Sequence, residues 1–265
     1  MKADIHKPKN DTLMKMLFIS IFFILINISC NAAPIEGGIS NPPSHEIFDN
    51  LLKKHVSKDG KVNYKGFIND MATFEKYLTL LSDNAPDRKT WTKDQQLAYW
   101  INAYNAFTIK IIADNYPVES IKDLNPTLNI PMVHTVWTKK FIRIGNEEVS
   151  LDDIEHKTIR KEFEEPRIHF AVNCASKSCP PLLNEAFMAE KLDSQLDKVA
   201  REFINNTKYN KISKDKAEVS QIFSWFKGDF TKKGTLIDYL NKYSKVKISS
   251  NAKVSNLKYD WSLNE

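Results

Sequence analysis

The stretch at residues 94–116, with the sequence DQQLAYWINAYNAFTIKIIADNY, decides which fold the chain is expected to adopt. Its apolar residues recur at helical spacing and leave almost no polar face, which is typical of a helix buried on all sides. Pro117 follows directly and cannot continue a helix. The stretch therefore predicts a long central core helix. Its main apolar face consists of Leu97, Ile101, Tyr104, Thr108 and Ile111, flanked by Trp100 and Phe107.

Shorter segments on both sides of this helix alternate between helical and strand patterns. Residues 133–149 alternate in polarity around Gly145-Asn146, which indicates a β-hairpin. Ser150, followed by acidic residues, predicts the start of another helix. Because short strands are interleaved with helices, we predict the α+β class: a helix-rich single domain over residues 44–265 with a small mixed or antiparallel sheet. Further helices are predicted at 44–52, 67–81, 185–205 and 221–243 (with a break at 227–229), and strands at 61–64, 168–172 and within 246–263.

The composition argues against several functional classes. The 265 residues are 42% hydrophobic and 27% charged, as in a globular protein rather than a disordered chain. Only 7 residues are Gly, and neither the dinucleotide-binding nor the P-loop glycine motif is present. The 38 Lys and Arg residues are interspersed with 33 Asp and Glu residues rather than forming a basic stripe, so we expect no nucleic-acid partner. The sequence implies no cofactor.

Residues 1–30 have the features of a secretory signal peptide. The apolar run at 16–28 follows Lys15 and is shorter than the roughly 20 residues that a membrane-spanning helix needs. Cys30 comes directly after the run and precedes a polar linker at 31–43, as in a bacterial lipoprotein, although Cys30-Asn31-Ala32 also fits ordinary signal peptidase. We therefore expect an exported protein, periplasmic or anchored by a lipidated Cys30, that contacts the membrane only through this segment.

The segment 167–181, RIHFAVNCASKSCPP, holds the pattern with the most chemical content. It places Cys174 where a predicted buried strand meets a polar loop, so that the strand fixes the backbone while the loop leaves the sulfur accessible to a substrate. Three interpretations are open: a Cys174–Cys179 disulfide, one reactive thiol, and a metal site or two idle thiols. The C-x4-C spacing gives a thioredoxin-like redox role little support.

Two histidines are candidates to take the proton of Cys174. His156 lies on the helix predicted after the hairpin, where Asp152, one turn earlier, is placed to orient its ring. His169 precedes Cys174 by five residues, about 16 Å along a straight strand, and reaches the sulfur only if the chain turns near Asn173. Each histidine also fits a purely structural role.

Asn105 lies on a flank of the predicted central helix, where a buried amide needs hydrogen-bond partners. In a functional role it would orient a histidine or stabilise an oxyanion. In a structural role it would make a hydrogen bond to a neighbouring element.

Five motifs together resemble the domain of unknown function 547 family. They are AYWINAYNAF at 98–107, SLDDIEH at 150–156 followed by Arg160, RIHFAVNC at 167–174 through SCPP at 178–181, IFSWF at 222–226 followed by Asp229-Phe230, and YDWSLN at 259–264. The resemblance spans roughly residues 44–264 and implies a member from the bacterial cell envelope. The family has no established activity.

The resemblance also bears on which thiol is functional. Plant members vary more around the second cysteine than around the first, which favours Cys174 over Cys179. A relation to papain-like thiol hydrolases would suit a Cys/His pair, although papain-like chains place the cysteine before the histidine and this chain has the reverse order.

We therefore predict an exported domain with a thiol-centred pocket, a hydrolase of amide or thioester bonds that acts on an unknown small-molecule or peptide substrate. The alternatives are a non-enzymatic envelope binding module with a Cys174–Cys179 disulfide and, with less support, a zinc site formed by both cysteines and a histidine. In the leading prediction Cys174 attacks, His156 or His169 takes its proton, Asp152 or Glu155 orients the ring, and Asn105 lines the pocket.

Overall fold

The helix Lys93–Asn115 is buried on nearly every side. A reciprocal capping box begins it: Thr92 Oγ1 accepts a hydrogen bond from Gln95 N, and Gln95 Oε1 accepts one from Thr92 N. The helix ends at Asn115, before Pro117, as that proline predicts. The predicted central helix is therefore confirmed.

The computed structural model describes residues 41–126 and 134–265. Within these ranges, 3-10 helices cover Ile121–Leu124, Pro166–Phe170 and Ala189–Lys191, and a π-helix covers Asp153–Ile159. The α-helices are α1 (Glu46–His55), α2 (Tyr64–Asn69), α3 (Met71–Asp83), α4 (Lys93–Asn115), α5 (Arg160–Glu162), α6 (Leu192–Ile204), α7 (Ile222–Trp225), α8 (Lys227–Phe230) and α9 (Leu236–Tyr243). The strands are β1 (Ile142–Ile144), β2 (Glu147–Val149), β3 (Lys211–Ile212), β4 (Lys216–Val219) and β5 (Lys253–Asn256).

The strands form two small sheets. Strands β1 and β2 make an antiparallel hairpin over residues 142–149, which confirms only the second half of the hairpin predicted at 133–149. Ile142 faces Val149, and Gly145 adopts a positive φ of 59° at the turn. The other sheet has the order β3-β4-β5 and is mixed, since β4 pairs antiparallel with β3 and parallel with β5. The predicted fold class, a helix-rich α+β domain with a small mixed or antiparallel sheet, is confirmed.

An aromatic cluster fixes the segment that leads to the cysteines. Phe170, at the end of the 3-10 helix Pro166–Phe170, is 1% exposed. Rings from α6, α7, α8 and α9 surround it, with centroids between 5.5 and 6.4 Å away. The contacting rings are Phe203, Phe223, Phe230 and Tyr239. Burying so much aromatic surface anchors the backbone just before the predicted nucleophile.

Two predicted strands are wrong. Residues 168–172 belong partly to the 3-10 helix Pro166–Phe170, because the ring of Pro166 sets a helical φ and the Glu165 carboxylate caps Arg167 N. At 61–64 an isolated bridge forms between Val62 and Val56, and Tyr64 already begins α2. A short apolar run cannot by itself distinguish a strand from a buried helical turn.

Three predicted helices have different boundaries. The helix at 67–81 is two helices, α2 and α3, that meet at Asp70. The helix at 185–205 begins only at Leu192, because Phe187 N donates to the Asn102 side chain and not to a helical carbonyl. The segment 221–243 contains α7, α8 and α9, and the predicted break at 227–229 lies inside α8.

The predicted signal peptide at 1–30, including Cys30, lies outside the described residues, as do Val133 and the linker up to residue 40. In the part of the chain that the structure describes, none of the helices is both long enough and apolar enough to cross a bilayer.

Candidate active site

Asn105 of α4 holds the backbone of the cysteine segment. Its Nδ2 donates to the carbonyl of Ala171 (2.9 Å), and its Oδ1 accepts from the N–H of Asn173 (2.8 Å). The side chain is buried and is not among the residues that line the cavity described below. Asn105 therefore makes the structural hydrogen bonds that a buried amide needs, and it acts by positioning Cys174.

The amide side chains of Asn173 and Asn264 hold the other side of the cysteine segment. Asn173 Nδ2 donates to the carbonyl of Pro180 (2.8 Å), while its Oδ1 accepts from Ala175 N (2.9 Å) and from Asn264 Nδ2 (3.1 Å). The Tyr64 hydroxyl donates in turn to Asn264 Oδ1 (2.7 Å). The buried loop is thus held by α2, α4 and the C-terminal segment together.

The backbone after Cys174 adopts an unusual conformation. Ala175 has a φ of +60°, and in the described ranges no other residue except glycine has a positive φ. This left-handed conformation costs a residue with a Cβ roughly 1–2 kcal/mol and persists only where the surroundings enforce it. The hydrogen bonds of Asn173 enforce it here, and the turn leaves Cys174 at the edge of the cavity.

Both thiols are free, so the predicted Cys174–Cys179 disulfide is not formed in this structure. The two Sγ atoms lie 3.0 Å apart, against about 2.05 Å for a covalent bond. Cys174 is partly exposed and Cys179 is buried. The Cys174 sulfur also contacts two hydroxyl groups at 3.3 Å each, those of Ser176 and Tyr259.

These contacts favour a thiolate at Cys174. The hydrogen-bonding contact with Cys179 lowers the pKa of Cys174 to about 7, with further help from the hydroxyls of Ser176 and Tyr259 and against the effect of burial. Burial and the neighbouring Cys174 raise the pKa of Cys179. Burial likewise raises the pKa of the Tyr259 phenol, which therefore stays a hydrogen-bond donor. Near neutral pH the proton of the pair resides on Cys179.

The predicted hydrogen bond from Cys174 to an imidazole is absent among the described residues. The sulfur is held by hydroxyls and by the second thiol instead. The 16 Å spacing along a straight strand does not apply either, because His169 lies on a 3-10 helix. The sequence did not indicate that oxygen and sulfur donors would replace the histidine at this atom.

His169 is a buried, neutral imidazole in which one ring nitrogen has no hydrogen-bond partner among the described residues. Its Nε2–H donates to Asp229 Oδ2 (2.8 Å), and its ring stacks on Phe226 with centroids 3.9 Å apart. Burial lowers the pKa of His169 to about 4, so the ring is uncharged at neutral pH. Nδ1 has no hydrogen-bond partner in the described part of the chain, and His169 lines the cavity. An unprotonated nitrogen of this kind can accept a proton.

His156 has a different environment on the π-helix. Its Nδ1 accepts a hydrogen bond from Arg160 Nη1 (2.7 Å), and its Nε2 lies 3.6 Å from Asp152 Oδ1. Arg160 also donates from Nε to Asp229 Oδ2 (2.6 Å). Asp229 and Arg160 therefore join the two histidines into one network. Such π-helical turns are rare and occur most often at functional sites.

Glu155 is the buried acid of the site. Burial raises its pKa, and the negative charge of Cys174 adds to this effect. The Tyr104 hydroxyl donates to its carboxylate, and Oε1 lies 3.9 Å from Nδ1 of His169. Glu155 is therefore protonated more readily than an exposed glutamate, close to the open nitrogen of the histidine.

These groups share one cavity of about 320 Å³. Cys174, His156, His169, Glu155 and Asp152 line it, whereas Asn105 does not. Sequence reasoning did not assign roles to Asp229, Arg160 or Tyr259, although all three stand in motifs that carried the family resemblance. The aromatic walls consist of Tyr104, Trp137, Trp225, Phe226, Tyr259 and Trp261.

A metal centre has no support in residues 41–126 and 134–265. No three His, Cys, Asp or Glu side chains there converge as metal ligands, so the described residues do not favour the zinc alternative.

The fold and the cavity define a class of protein: a helix-rich α+β domain with two thiols beside a histidine–carboxylate network. Residues 88–204 match the model of the family described as "Protein of unknown function, DUF547", which supports the resemblance to that family over this part of the chain. The matched stretch includes both cysteines, His156 and His169, and it is shorter than the resemblance over residues 44–264. No curated protein and no solved structure matches the chain.

Proposed function

We propose that this domain is a cysteine-dependent hydrolase of amide or thioester bonds and that Cys174 is its nucleophile. One observation carries the proposal: a hydrogen-bonded thiol, an open imidazole nitrogen and a buried carboxyl group line the same cavity. Sites whose neighbouring groups have pKa values shifted in opposite directions are typical of acid–base catalysis. Cys174, with a lowered pKa, and Glu155, with a raised one, are such a pair.

In the acylation step the Cys174 thiolate attacks the carbonyl carbon of the substrate. A C–S bond forms, and the bond to the leaving amine or thiol breaks as the tetrahedral intermediate collapses. Glu155, whose raised pKa favours its protonated form, is the group that gives a proton to a leaving amine. Because the pKa of Cys174 is already about 7, no base has to contact the sulfur for this step.

In the deacylation step a water molecule attacks the acyl group and releases Cys174. His169 Nδ1 takes the proton of this water, and Asp229 holds the ring through Nε2. The same proton then returns to Glu155, whose Oε1 lies 3.9 Å from Nδ1, and the site is restored.

This assignment changes the roles predicted from the sequence. His169 replaces His156 as the leading base, because Nδ1 of His156 is occupied by Arg160. Asp229 replaces Asp152 and Glu155 as the carboxylate that orients the ring. The aromatic walls favour a small-molecule or peptide substrate with a flat or apolar acyl group.

A panel of aryl and alkyl thioesters and p-nitroanilides tests the proposal. The expected result is a covalent acyl adduct on Cys174, trapped by acid quenching and located by peptide mass spectrometry, with turnover that Cys174→Ala abolishes. The comparison variant is Cys179→Ala, in which the adduct should still form on Cys174 but more slowly near neutral pH, because Cys179 no longer lowers the pKa of Cys174. Binding of these compounds without any adduct or turnover would favour the non-enzymatic binding module instead.

We also propose that the domain works outside the cytoplasm, on a lipid anchor at Cys30. The support is the sequence of residues 1–43, with its short apolar run, the cysteine that follows it and the polar linker. Metabolic labelling with radioactive palmitate tests this in a bacterial host. Label is expected on the wild type and absent from Cys30→Ala, and an unlabelled wild type would contradict the anchor.

A further inference from the structure

In the hydrolysis proposed above the second thiol only lowers the pKa of the nucleophile and takes no part in bond making, yet it contacts that sulfur directly. We propose that Cys174 and Cys179 form a dithiol that reduces small-molecule disulfides, with Cys174 as the attacking thiol and Cys179 as the resolving thiol. The proposal rests on the contact between the two sulfurs and on their unequal access to the cavity, and it requires no acyl chemistry.

The contact distance allows the bond to form with little movement. The Sγ atoms are 3.0 Å apart, and closing to about 2.05 Å requires each sulfur to shift by a fraction of an ångström. The backbone N–H of Cys174 donates to Cys179 Sγ at 3.0 Å and so aims the second sulfur at the first. The C-x4-C spacing differs from the thioredoxin-like pattern, and here the turn at Ala175 brings the two cysteines together.

The two thiols differ in the way that exchange chemistry requires. Cys174 is partly exposed beside the cavity, whereas Cys179 is buried. The rate of thiol–disulfide exchange depends on the thiolate fraction of the attacking sulfur and on access to it. A disulfide in solution therefore meets Cys174 first, and Cys179 is shielded from direct attack.

The substrate disulfide is reduced in two successive thiol–disulfide exchanges. The Cys174 thiolate attacks one sulfur of a disulfide RS–SR, the S–S bond breaks, RS⁻ leaves, and a mixed disulfide Cys174–SR forms. Cys179 then loses its proton to the first leaving thiolate and attacks Cys174 Sγ, and the second RS⁻ leaves with a proton from water. The substrate disulfide is reduced to two thiols, and the pair is oxidised by two electrons to a Cys174–Cys179 disulfide.

Electrostatics make the second exchange follow the first. The hydrogen bond to Cys174 and the negative charge of Cys174 both raise the pKa of Cys179, in addition to burial. The mixed disulfide removes that charge and ends the donation to a thiolate. The pKa of Cys179 therefore falls only once Cys174 carries the adduct, and the resolving thiol becomes reactive at that moment.

The test uses the full chain, reduced and free of air, with 2-hydroxyethyl disulfide as the probe. After acid quenching, peptide mapping separates adducts at Cys174 and Cys179 from any at Cys30. Wild type is expected to yield a Cys174–Cys179 disulfide and two molecules of mercaptoethanol per chain, beyond one for each Cys30 that carries an adduct. Cys179→Ser is expected to stop at a stable mercaptoethanol adduct on Cys174 with one molecule released, and Cys174→Ser to form no adduct at Cys179.

Two results would overturn the proposal. One is a lasting mercaptoethanol adduct on Cys174 of the wild type, which would mean that Cys179 does not resolve it. The other is a wild type that does not react at all while remaining folded by circular dichroism. A lasting adduct would leave the hydrolase proposal untouched, because it shows Cys174 reacting as a nucleophile, and loss of thioester turnover with continued disulfide reduction would leave this proposal untouched. An unreactive wild type is separated from failure of the hydrolase proposal by the thioester panel, which scores an acyl adduct on the same sulfur.

Discussion

His169 donates a hydrogen bond from Nε2 to Oδ2 of Asp229 at 2.8 Å, across 60 positions of the chain. The same carboxylate oxygen accepts from Arg160 Nε at 2.6 Å, so one acid orients a neutral ring and balances a cation. Donation by the ring and by Arg160 keeps the pKa of Asp229 well below its usual range. The aspartate stays ionised while Nδ1 of the ring stays unprotonated, which is the arrangement of an oriented general base.

The first prediction concerns Asp229→Asn. An amide cannot carry the charge that holds both His169 and Arg160, so we expect thioester hydrolysis to fall by about a hundredfold or more. Stability should fall by about 2 kcal/mol in urea unfolding, because charged hydrogen bonds are lost. Alkylation of Cys174 should not change, since Asp229 does not contact the sulfur. Asp193→Asn, at an 88% exposed carboxylate, is the matched control. Hydrolysis by Asp229→Asn at the wild-type rate would rule out the proposed base.

The second prediction concerns Tyr259→Phe. This change removes one hydroxyl donor from the Cys174 sulfur at 3.3 Å and keeps the ring against Trp225 and Trp261. Losing a hydrogen bond to an ionised group should raise the pKa of Cys174 by up to about one unit. The measurement is the rate of iodoacetamide alkylation against pH. Tyr116→Phe, which removes a surface hydroxyl bonded to Glu265, should leave the profile as it is. An unchanged midpoint in Tyr259→Phe would contradict the assigned contact.

The third prediction concerns Ala175. A β-branched side chain is strongly disfavoured at a φ of +60°, and this site is fully buried. We expect Ala175→Val to destabilise the fold by at least about 2 kcal/mol and to slow alkylation of Cys174. Ala175→Gly, which accepts this φ, should stay within about 1 kcal/mol of wild type. Equal stability of the valine and glycine variants would mean that the turn is not required.

The fourth prediction is a pH dependence of stability. Burial lowers the pKa of both His45 and His169 to about 4, so the folded chain resists protonation that the unfolded chain accepts below about pH 6.5. The contribution of these neutral histidines to the free energy of unfolding is therefore complete above pH 6.5. It falls as the pH drops towards 4, by roughly 2–3 kcal/mol for each histidine at about pH 4.5. Urea titrations should show a shallower fall in His45→Gln than in the wild type. A wild type equally stable at both ends of this range would contradict the buried neutral rings.

The sequence predicted the fold where the signal was local and strong. The apolar surface of residues 94–116 and the proline after it defined α4 within one residue at each end. The glycine turn at Gly145 placed the β1–β2 hairpin. In both cases the side-chain pattern and the backbone preference favour the same local structure, and the tertiary contacts do not change it.

The errors fall where tertiary contacts decide the local structure. Residues 168–172 look like a buried strand, but Phe170 is enclosed by rings from four helices, and a 3-10 turn presents it to all of them. The start of α6 is delayed to Leu192 because Asn102 of α4 takes the hydrogen bonds of Phe187. Contacts across about 85 positions leave no periodic trace in a sequence.

The candidate site could likewise be predicted where the signal was local and not where it depends on contacts between distant segments. The cysteines, His156, His169 and Glu155 could be proposed from their residue types and from one loop. Asp229 and Tyr259 could not be assigned roles, because they reach the site from segments 60 and 85 positions away. Both residues nevertheless stand in motifs that carry the family resemblance.

The activation of Cys174 is the central claim, and one measurement tests it most directly. Alkylation of Cys174 by iodoacetamide is followed by peptide mass spectrometry from acid to alkaline pH, in buffer and again in concentrated urea. Folded protein should show a midpoint near pH 7, and unfolded protein one near the ordinary thiol value of about 8.5. The same midpoint in both conditions would show that the fold does not activate this thiol.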